Sequence, residues 1–515
     1  MRIFDTYVQK LKYKVLTELA RQTWVGNDAF SVFNDIANQV VKKGEPTMSC
    51  CIYKDRAIVA ERIRIALGGK KEDHNVIQVI DIACDECPVA GHVVTDLCRG
   101  CVAHACVDAC KLGAITVDSH QKAEIDKSKC VECGKCAKSC PYSAIANFKR
   151  PCERACKVDA ISMAPDGVAQ IDSEKCIECG ACVYKCPFGA TLDVSSITDI
   201  IKTIVDSDNN KNYHVHAIVA PAIAGQFQYA KAGQLISAIR ELGFYAVEEV
   251  ALGADIVAYK EAQELQEKGF LTSSCCPAFV KYIKMKFPQL AEHISHNLSP
   301  MAETGKLIKE QDPAAKIVFI GPCTAKKGEV RKPEVHQYVD YVMTFEELQA
   351  MIDSKDIAVD QLPETELDTA TYYGRVFART GGLSEAVTEA VREQKAAAEA
   401  AKADAPDGAG TSGAVASGEA GASGKPASGD GACDGDSADS KPFVFDPIVC
   451  DGIDSCKTAL LRASKGLLPN NFIEGMVCTD GCIGGAACLS HGNADKRAID
   501  NYGKKATHKE IRDVL

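Results

Sequence analysis

A chain of 515 residues that is 46% hydrophobic and 25% charged has globular composition, and at roughly 150 residues per domain it divides into about three. Its formal charge of -11 argues against nucleic acid or an anionic membrane as a partner held by bulk electrostatics. The anomaly is its 27 cysteines: a disulfide scaffold that dense is short and secreted, so these thiols are expected to hold metal.

The opening Met1-Arg2-Ile3-Phe4-Asp5 lacks the basic flank and apolar run of a signal peptide. The best apolar run, Val215 to Ala224, falls well short of the roughly 20 residues that a membrane span needs. A soluble, cytosolic protein with reduced thiols is expected. From Thr6 to about Gly68, apolar residues recur at three- and four-residue steps (Leu11, Val15, Leu19, then Phe30, Phe33, Ile36, Ala37, Val40), which predicts a helical N-terminal domain over residues 1–80. Its adjacent Cys50 and Cys51 read as incidental thiols.

Residues 81–195 hold 16 cysteines, from Cys84 to Cys186, and few aliphatic runs, so inorganic clusters must stand in for a conventional core. Residues 196–515 read as an α/β domain, with strand-like segments at His216–Ala220, Tyr245–Glu249, Phe270–Thr272, Ile317–Ile320 and Tyr341–Thr344 alternating with helices. Residues 396–440 interrupt it with Ala, Gly, Ser and Asp, a composition too poor in apolar groups to offset chain entropy. They are expected to form a flexible insertion, and its Cys433 is not expected to be a ligand.

Cys130-x2-Cys133-x2-Cys136-x3-Cys140-Pro141 is the bacterial ferredoxin run, and Cys176-x2-Cys179-x2-Cys182-x3-Cys186-Pro187 repeats it. Three closely spaced thiolates wrap one face of a 4Fe-4S cube, and the fourth passes to a neighbouring cube. Zinc wants two C-x2-C pairs more widely separated. Cys98-x2-Cys101-x4-Cys106-x3-Cys110 is a third, stretched run; Cys152-x3-Cys156 and Cys84-x2-Cys87 are fragments of others. The triplets Cys98, Cys101, Cys106; Cys130, Cys133, Cys136; and Cys176, Cys179, Cys182 leave Cys110, Cys140, Cys156 and Cys186 to close cubes by exchange. A fourth cluster on Cys84, Cys87, Cys152 and one leftover thiol stands against three clusters plus unliganded thiols. Either set can pass single electrons from surface to interior.

Five more cysteines sit in Pro- or Gly-rich loops after strand-like stretches: Ser274-Cys275-Cys276-Pro277, Gly321-Pro322-Cys323-Thr324-Ala325-Lys326-Lys327-Gly328-Glu329 and Cys478-Thr479-Asp480-Gly481-Cys482. Loops of that kind gather at the mouth of an α/β sheet. Converged, they supply four ligands and a spare thiol, and spacing alone licenses one further 4Fe-4S site.

These three segments, in this order and behind ferredoxin-type runs, resemble the signature loops of the iron-only (FeFe) hydrogenases. The resemblance covers roughly residues 84–395 and 443–490. It implies a multi-domain α+β chain: an N-terminal helical segment, a ferredoxin-like 4Fe-4S domain and a C-terminal α/β domain holding the H-cluster, a 4Fe-4S cube joined to a two-iron unit with CO, CN and a dithiolate bridge. It implies Cys276, Cys323, Cys478 and Cys482 as ligands, with Cys482 bridging. Cys275 becomes the thiol that exchanges protons with the bridge amine, its ordinary pKa within tuning range of neutrality. The outward relay would run through Glu261, Ser299 and Glu264; Lys326 would face a cyanide and Glu329 would orient its loop.

The activity implied is reversible reduction of protons to H2, with electrons from ferredoxin or a similar carrier and maturation proteins to insert the two-iron unit. The match is imperfect. Gly321 stands where Met is usual, Ala278-Phe279 replaces Gly-Trp, Thr479-Asp480 and Ala486-Ala487-Cys488 alter the third loop, and Cys488 reads as a buried spectator. A divergent, group B-like branch is implied. Two other readings are a low-turnover hydrogen or redox sensor, and an iron-sulfur scaffold without the two-iron unit. The scaffold need not keep Cys275, Cys482 or Lys326, and all three are present.

Overall fold

The computed structural model describes residues 4–27, 31–44, 48–49, 51–70, 73–85, 87, 90–403 and 443–515. Phe30, Cys50 and Cys433 lie outside them. Longer helices are numbered below, and one-turn helices are named by their residues.

The N-terminal region forms α1 (Tyr7–Trp24), α2 (Phe33–Val40) and α3 (Ile52–Ala66). Thr6 opens α1 with a capping box: its Oγ1 accepts from the Gln9 amide at 3.1 Å, and the Gln9 side chain accepts from the Thr6 amide at 3.1 Å. Leu11, Val15 and Leu19 are buried as their spacing predicts. Val15 and Leu19 enter a core shared with α4 (Ile197–Asp206) and the first strands of the α/β region. Lys12, also on α1, is buried against Asp193 and, at 2.7 Å, Glu346; Lys327 pairs with the same Asp193 at 2.7 Å and with Glu347 at 2.8 Å. Two ammoniums among three carboxylates exchange hydration for one arrangement, pinning α1, the exit of the cysteine-rich region and one signature loop together.

The cysteine-rich region is built from short strands: β1 (Ile77–Val79), β2 (Gly91–Val94), β3 (Ile115–Val117), β4 (Ala123–Ile125), β5 (Ile145–Phe148), β6 (Ile161–Met163), β7 (Ala169–Ile171) and β8 (Thr191–Asp193). They pair antiparallel as β1–β8, β2–β5, β3–β4 and β6–β7. The ferredoxin runs lie on turns that enter the one-turn helices Lys135–Ser139 and Ala181–Lys185. Within each turn Glu132 and Glu178 adopt positive φ, followed by Gly134 and Gly180, which wraps the chain around a common centre. The local core around β3–β5 is small: Ile115, Ala123, Ile145 and thiols.

The α/β region has two parallel sheets. The first runs β10–β9–β12–β13, with β9 (Val215–Val219), β10 (Ala246–Glu249), β12 (Lys316–Gly321) and β13 (Tyr341–Thr344). The second runs β11–β15–β14, with β11 (Leu271–Thr272), β14 (Pro447–Asp451) and β15 (Phe472–Met476). Around them pack α5 (Ala232–Glu241), α6 (Val250–Lys268), α7 (Pro277–Lys286), α8 (Pro300–Gln311), α9 (Phe345–Ser354), α10 (Gly382–Ala403), α11 (Ile453–Ala463) and α12 (Asn493–Gly503). Helix α10 runs eight residues into the stretch expected to be an insertion; residues 404–442 lie outside the described ones. The mixed architecture is the one the sequence predicts. Among the described residues no helix is long and apolar enough to cross a membrane.

Candidate functional site

The three cysteine loops leave the carboxyl ends of parallel strands: β11 runs into Ser273–Cys276, β12 into Pro322–Thr324 and β15 into Val477–Cys482. This is where open α/β sheets place ligands. Cys276 caps α7, and Pro277 fills its first position, where the missing amide N–H costs nothing. Gly481, with φ of 80°, and Gly484, whose added Cβ would lie 1.8 Å from the Thr479 carbonyl oxygen, let the third loop fold tightly around Cys482.

The four thiols converge. Burial pushes the Cys323 thiol up to about 11 and the Cys482 thiol to about 12; Cys276 raises both, and Lys326 pulls both down. Burial also drives Cys478 well above the ordinary range, with Cys323, Cys276 and Cys482 adding to it. Four partly buried thiols, three of them beside the single ammonium of Lys326, cannot all ionise without a compensating cation, and soft sulfur donors suit iron. The donor set fits an iron-sulfur group.

Lys326 is buried, with Nζ 2.6 Å from Glu329 Oε2 and 3.4 Å from the Cys275 carbonyl oxygen. Glu329 keeps the ammonium charged against its burial. Cys275 itself is buried, and desolvation, followed by Glu261, Cys276 and Cys482, holds its pKa well above the ordinary value. Burial among apolar side chains thus favours the protonated form of the Cys275 thiol.

Glu261 and Glu264 lie on α6, which delivers Glu261 fully buried to the first loop. Its Oε1 accepts from the Ser274 amide at 3.3 Å and from Ser274 Oγ at 3.4 Å. Burial raises its pKa to about 7. Glu264 faces outward and is held below the usual carboxylate value, against partial burial, by Lys268 and His296, at 2.7 and 2.6 Å. Ser299, expected between the glutamates, is not there. It caps α8 and, among the described residues, its buried Oγ meets no hydrogen-bond partner. Ser295 takes the place: the Ile294–Thr272 bridge and the Ser295 amide, bonded to the Thr272 carbonyl at 2.8 Å, carry it alongside β11, where its Oγ donates to Glu264 Oε2 at 3.3 Å and also lowers the pKa of Glu261. The signal in the sequence was the polar run Ser295-His296-Asn297 after Ile294.

The substituted positions have local reasons. Phe279 packs over Gly475, where any Cβ would strike its ring at 2.2 Å. Asp480, with φ of 65°, donates its amide to Asp451 Oδ1 at 2.6 Å. Cys488 is fully buried, its Sγ 3.2 Å from the Ile483 carbonyl oxygen. Cys450 and Cys456, not singled out from the sequence, are fully buried in the core behind the first and third loops.

The thiols of the cysteine-rich region also gather. Cys84, Cys87, Cys152 and Cys186 lie together: burial, with Cys186 and Cys84 beside them, raises Cys87 and takes Cys152 to about 11. Cys176, Cys179 and Cys182 group with Cys156, and burial takes Cys179 to about 12. Cys106 groups with Cys101 and Cys140, and Cys136 with Cys130 and Cys133; Cys98 and Cys110 share their small core. Cys179 also neighbours Cys276 and Cys478, and a cavity of about 940 Å³ is lined by Cys156, Cys176, Cys179, Cys182 and Cys478. The junction is close. Thr324 Oγ1 donates to the Glu178 carbonyl at 2.8 Å, Lys281 pairs with Glu178 at 3.1 Å, and a Cβ on Gly180 would strike Thr324 and Ala486.

Residues 213–486 match the family model for the iron only hydrogenase large subunit, C-terminal domain, and residues 97–144 and 150–190 match the 4Fe-4S dicluster domain. Iron hydrogenase 1 of Clostridium pasteurianum is 29% identical over 308 residues, 54% of this chain and 52% of that protein. The periplasmic Fe hydrogenase large subunit of Nitratidesulfovibrio vulgaris is 29% identical over 277 residues, 49% of this chain and 61% of its own. A cytosolic Fe-S cluster assembly factor, NAR1 of Kluyveromyces lactis, is 37% identical over 95 residues, 18% of this chain and 20% of that one. The chain spans about half the length of the curated hydrogenases it matches. Among solved structures, an FeFe-hydrogenase HydA1 variant from Chlamydomonas reinhardtii covers 62% of this chain and 92% of its own at 20% identity and a TM-score of 0.46.

Proposed function

Because the chain belongs to the iron only hydrogenase large subunit family, we propose that it catalyses the reversible reduction of protons to H2. The observation that carries this reading is the convergence of Cys276, Cys323, Cys478 and Cys482 in one buried site that also contains a protonated spare thiol, Cys275, and a paired ammonium, Lys326. Those four cysteines would hold the H-cluster, which when bound supplies an open metal site for H2 chemistry.

The chain's own residues do the rest. Cys275 holds a proton at Sγ beside the cofactor. Glu261, with a pKa of about 7, passes protons outward past Ser295 to Glu264, and the exposed His296 connects that carboxylate to water. Lys326, its charge kept by Glu329, balances an anionic group, and burial excludes bulk water.

In this reading sixteen thiolates hold four accessory cubes: Cys98, Cys101, Cys106 with Cys140; Cys110 with Cys130, Cys133, Cys136; Cys84, Cys87, Cys152 with Cys186; and Cys156 with Cys176, Cys179, Cys182. Electrons from a ferredoxin or similar carrier arrive near Cys101, whose neighbour Val102 is 97% exposed, and leave through Cys179. The reading includes a reducing, cytosolic setting and maturation proteins. A second reading, favoured by the NAR1 similarity, is an iron-sulfur scaffold. Gas evolution by fully matured protein with a strong chemical reductant distinguishes them: sustained H2 production is expected, and none from iron-replete protein leaves the scaffold.

A further inference from the structure

The amino ends of the four-stranded sheet carry a cluster that the proposed reaction does not use. His214 directly precedes β9 and His216 lies within it, so their side chains leave the chain on one face. Asp312 follows α8 on the turn into β12, and the Lys316 amide donates to the His214 carbonyl oxygen at 2.8 Å, holding that turn alongside β9. One donor atom from each of His214, His216 and Asp312 lies within 4.8 Å of the other two.

The two nitrogens of His216 have different surroundings. Nδ1 is 2.8 Å from Glu248 Oε1 on β10. An imidazole that donates from Nδ1 to a carboxylate presents a lone pair at Nε2. Among the described residues that Nε2 is buried with no hydrogen-bond partner, in a residue only 8% exposed. His214 is oriented by its neighbours: its ring stacks on Tyr245 with centroids 3.8 Å apart, and its Nδ1 lies 2.8 Å from Asp312 Oδ2. The adjoining lysines, Lys309 and Lys316, pair with Asp340 at 3.3 and 3.0 Å.

We propose that His214, His216 and Asp312 form a binding site for a divalent transition cation of the zinc type, with Glu248 as the outer partner that fixes the His216 tautomer. Two imidazoles and a carboxylate are the donors such a cation prefers, and a ligating histidine whose other nitrogen is bonded to a carboxylate is the arrangement that strengthens it. His214 and Asp312 are partly exposed, which gives the ion a path in and leaves a fourth position to water. The site clasps the start of β9 to the α8–β12 turn, at the end of the sheet opposite the thiol loops.

The test uses the full-length protein, its iron-sulfur clusters loaded under anaerobic conditions, stripped on a chelating resin and titrated with Zn²⁺ near neutral pH. Bound zinc and iron are counted by mass spectrometry, and the thermal midpoint is followed. The wild type is expected to bind one zinc more than His216→Ala or His214→Ala and to gain thermal stability that neither variant gains, all at equal iron content. Glu248→Gln is expected to bind roughly ten- to a hundredfold more weakly. Equal zinc and equal midpoint gain in wild type and both histidine variants would place the metal elsewhere and overturn the proposal, as would a wild type that binds none. If His216→Ala does not fold, His214→Ala and Asp312→Asn, at more exposed positions, carry the same comparison.

Discussion

The cysteine-rich region and the sheet mouth use one ligand chemistry in opposite ways. In the first, three of the four groups take three thiols from a single run, as with Cys176, Cys179 and Cys182, and borrow the fourth, while Cys84, Cys87, Cys152 and Cys186 gather from three segments. In the second, the four thiols come from three loops spread from Cys276 to Cys482, and strand order brings them together. Locally encoded sites can be repeated along a chain to make a conduit. A site assembled from distant strands can surround its occupant with an acid, a spare thiol and an ammonium, each from its own element. In the proposed function that contrast separates electron transfer from chemistry.

The largest expected effect tests the assembled site. Cys482→Ala should bring H2 evolution below detection in matured protein while the accessory iron stays near wild type; retained turnover would break the contrast. Cys275→Ser should lower turnover by about a hundredfold or more, with iron content unchanged. Unchanged turnover would remove the thiol from the proton path.

A smaller effect separates two serines. Ser295→Ala should cost roughly tenfold in turnover, the worth of one hydrogen bond in the path, and Ser299→Ala should leave turnover near wild type. Equal losses would restore Ser299 to the relay. On the conduit side, Cys133→Ser should remove one cube's iron and weaken only carrier-driven turnover, sparing turnover driven by a small reductant that reaches inner clusters directly.

The smallest effect is on stability. The carboxyl of Glu261 has a pKa near 7 when folded against an ordinary value of 4.5. The folded chain therefore holds a proton that the unfolded chain releases, and stability falls as pH rises from about 4.5 through 7, by at most about 3 kcal/mol. Glu261→Gln should flatten that part of the thermal-midpoint profile; an unaltered slope would show that Glu261 is not the group titrating.

Much of this was legible in the sequence because the signals were local. Spacing revealed the ferredoxin runs, and the strand segment at Tyr341–Thr344 coincides with β13. The resemblance brought in Cys276, Cys323, Cys478 and Cys482, which the fold collects in one place. What escaped depended on distant partners. The middle of β15 is interrupted by Glu474 and Gly475; the carboxylate is buried because the amides of Gly381 and Ser384 satisfy it at 2.7 and 2.8 Å, and the glycine because Phe279 fills its space. Ser295 reaches Glu264 only through the Ile294–Thr272 bridge, which no local pattern announces. The rise in the Cys275 pKa follows from burial by neighbours far away in the chain.

The central claim is that the thiols of Cys276, Cys323, Cys478 and Cys482 hold a six-iron cofactor, and an infrared spectrum of the matured protein tests it most directly. The account predicts sharp bands from metal-bound CO and CN that disappear in Cys482→Ala. A spectrum of iron-replete wild-type protein without those bands would contradict it and reduce the site to one more cube.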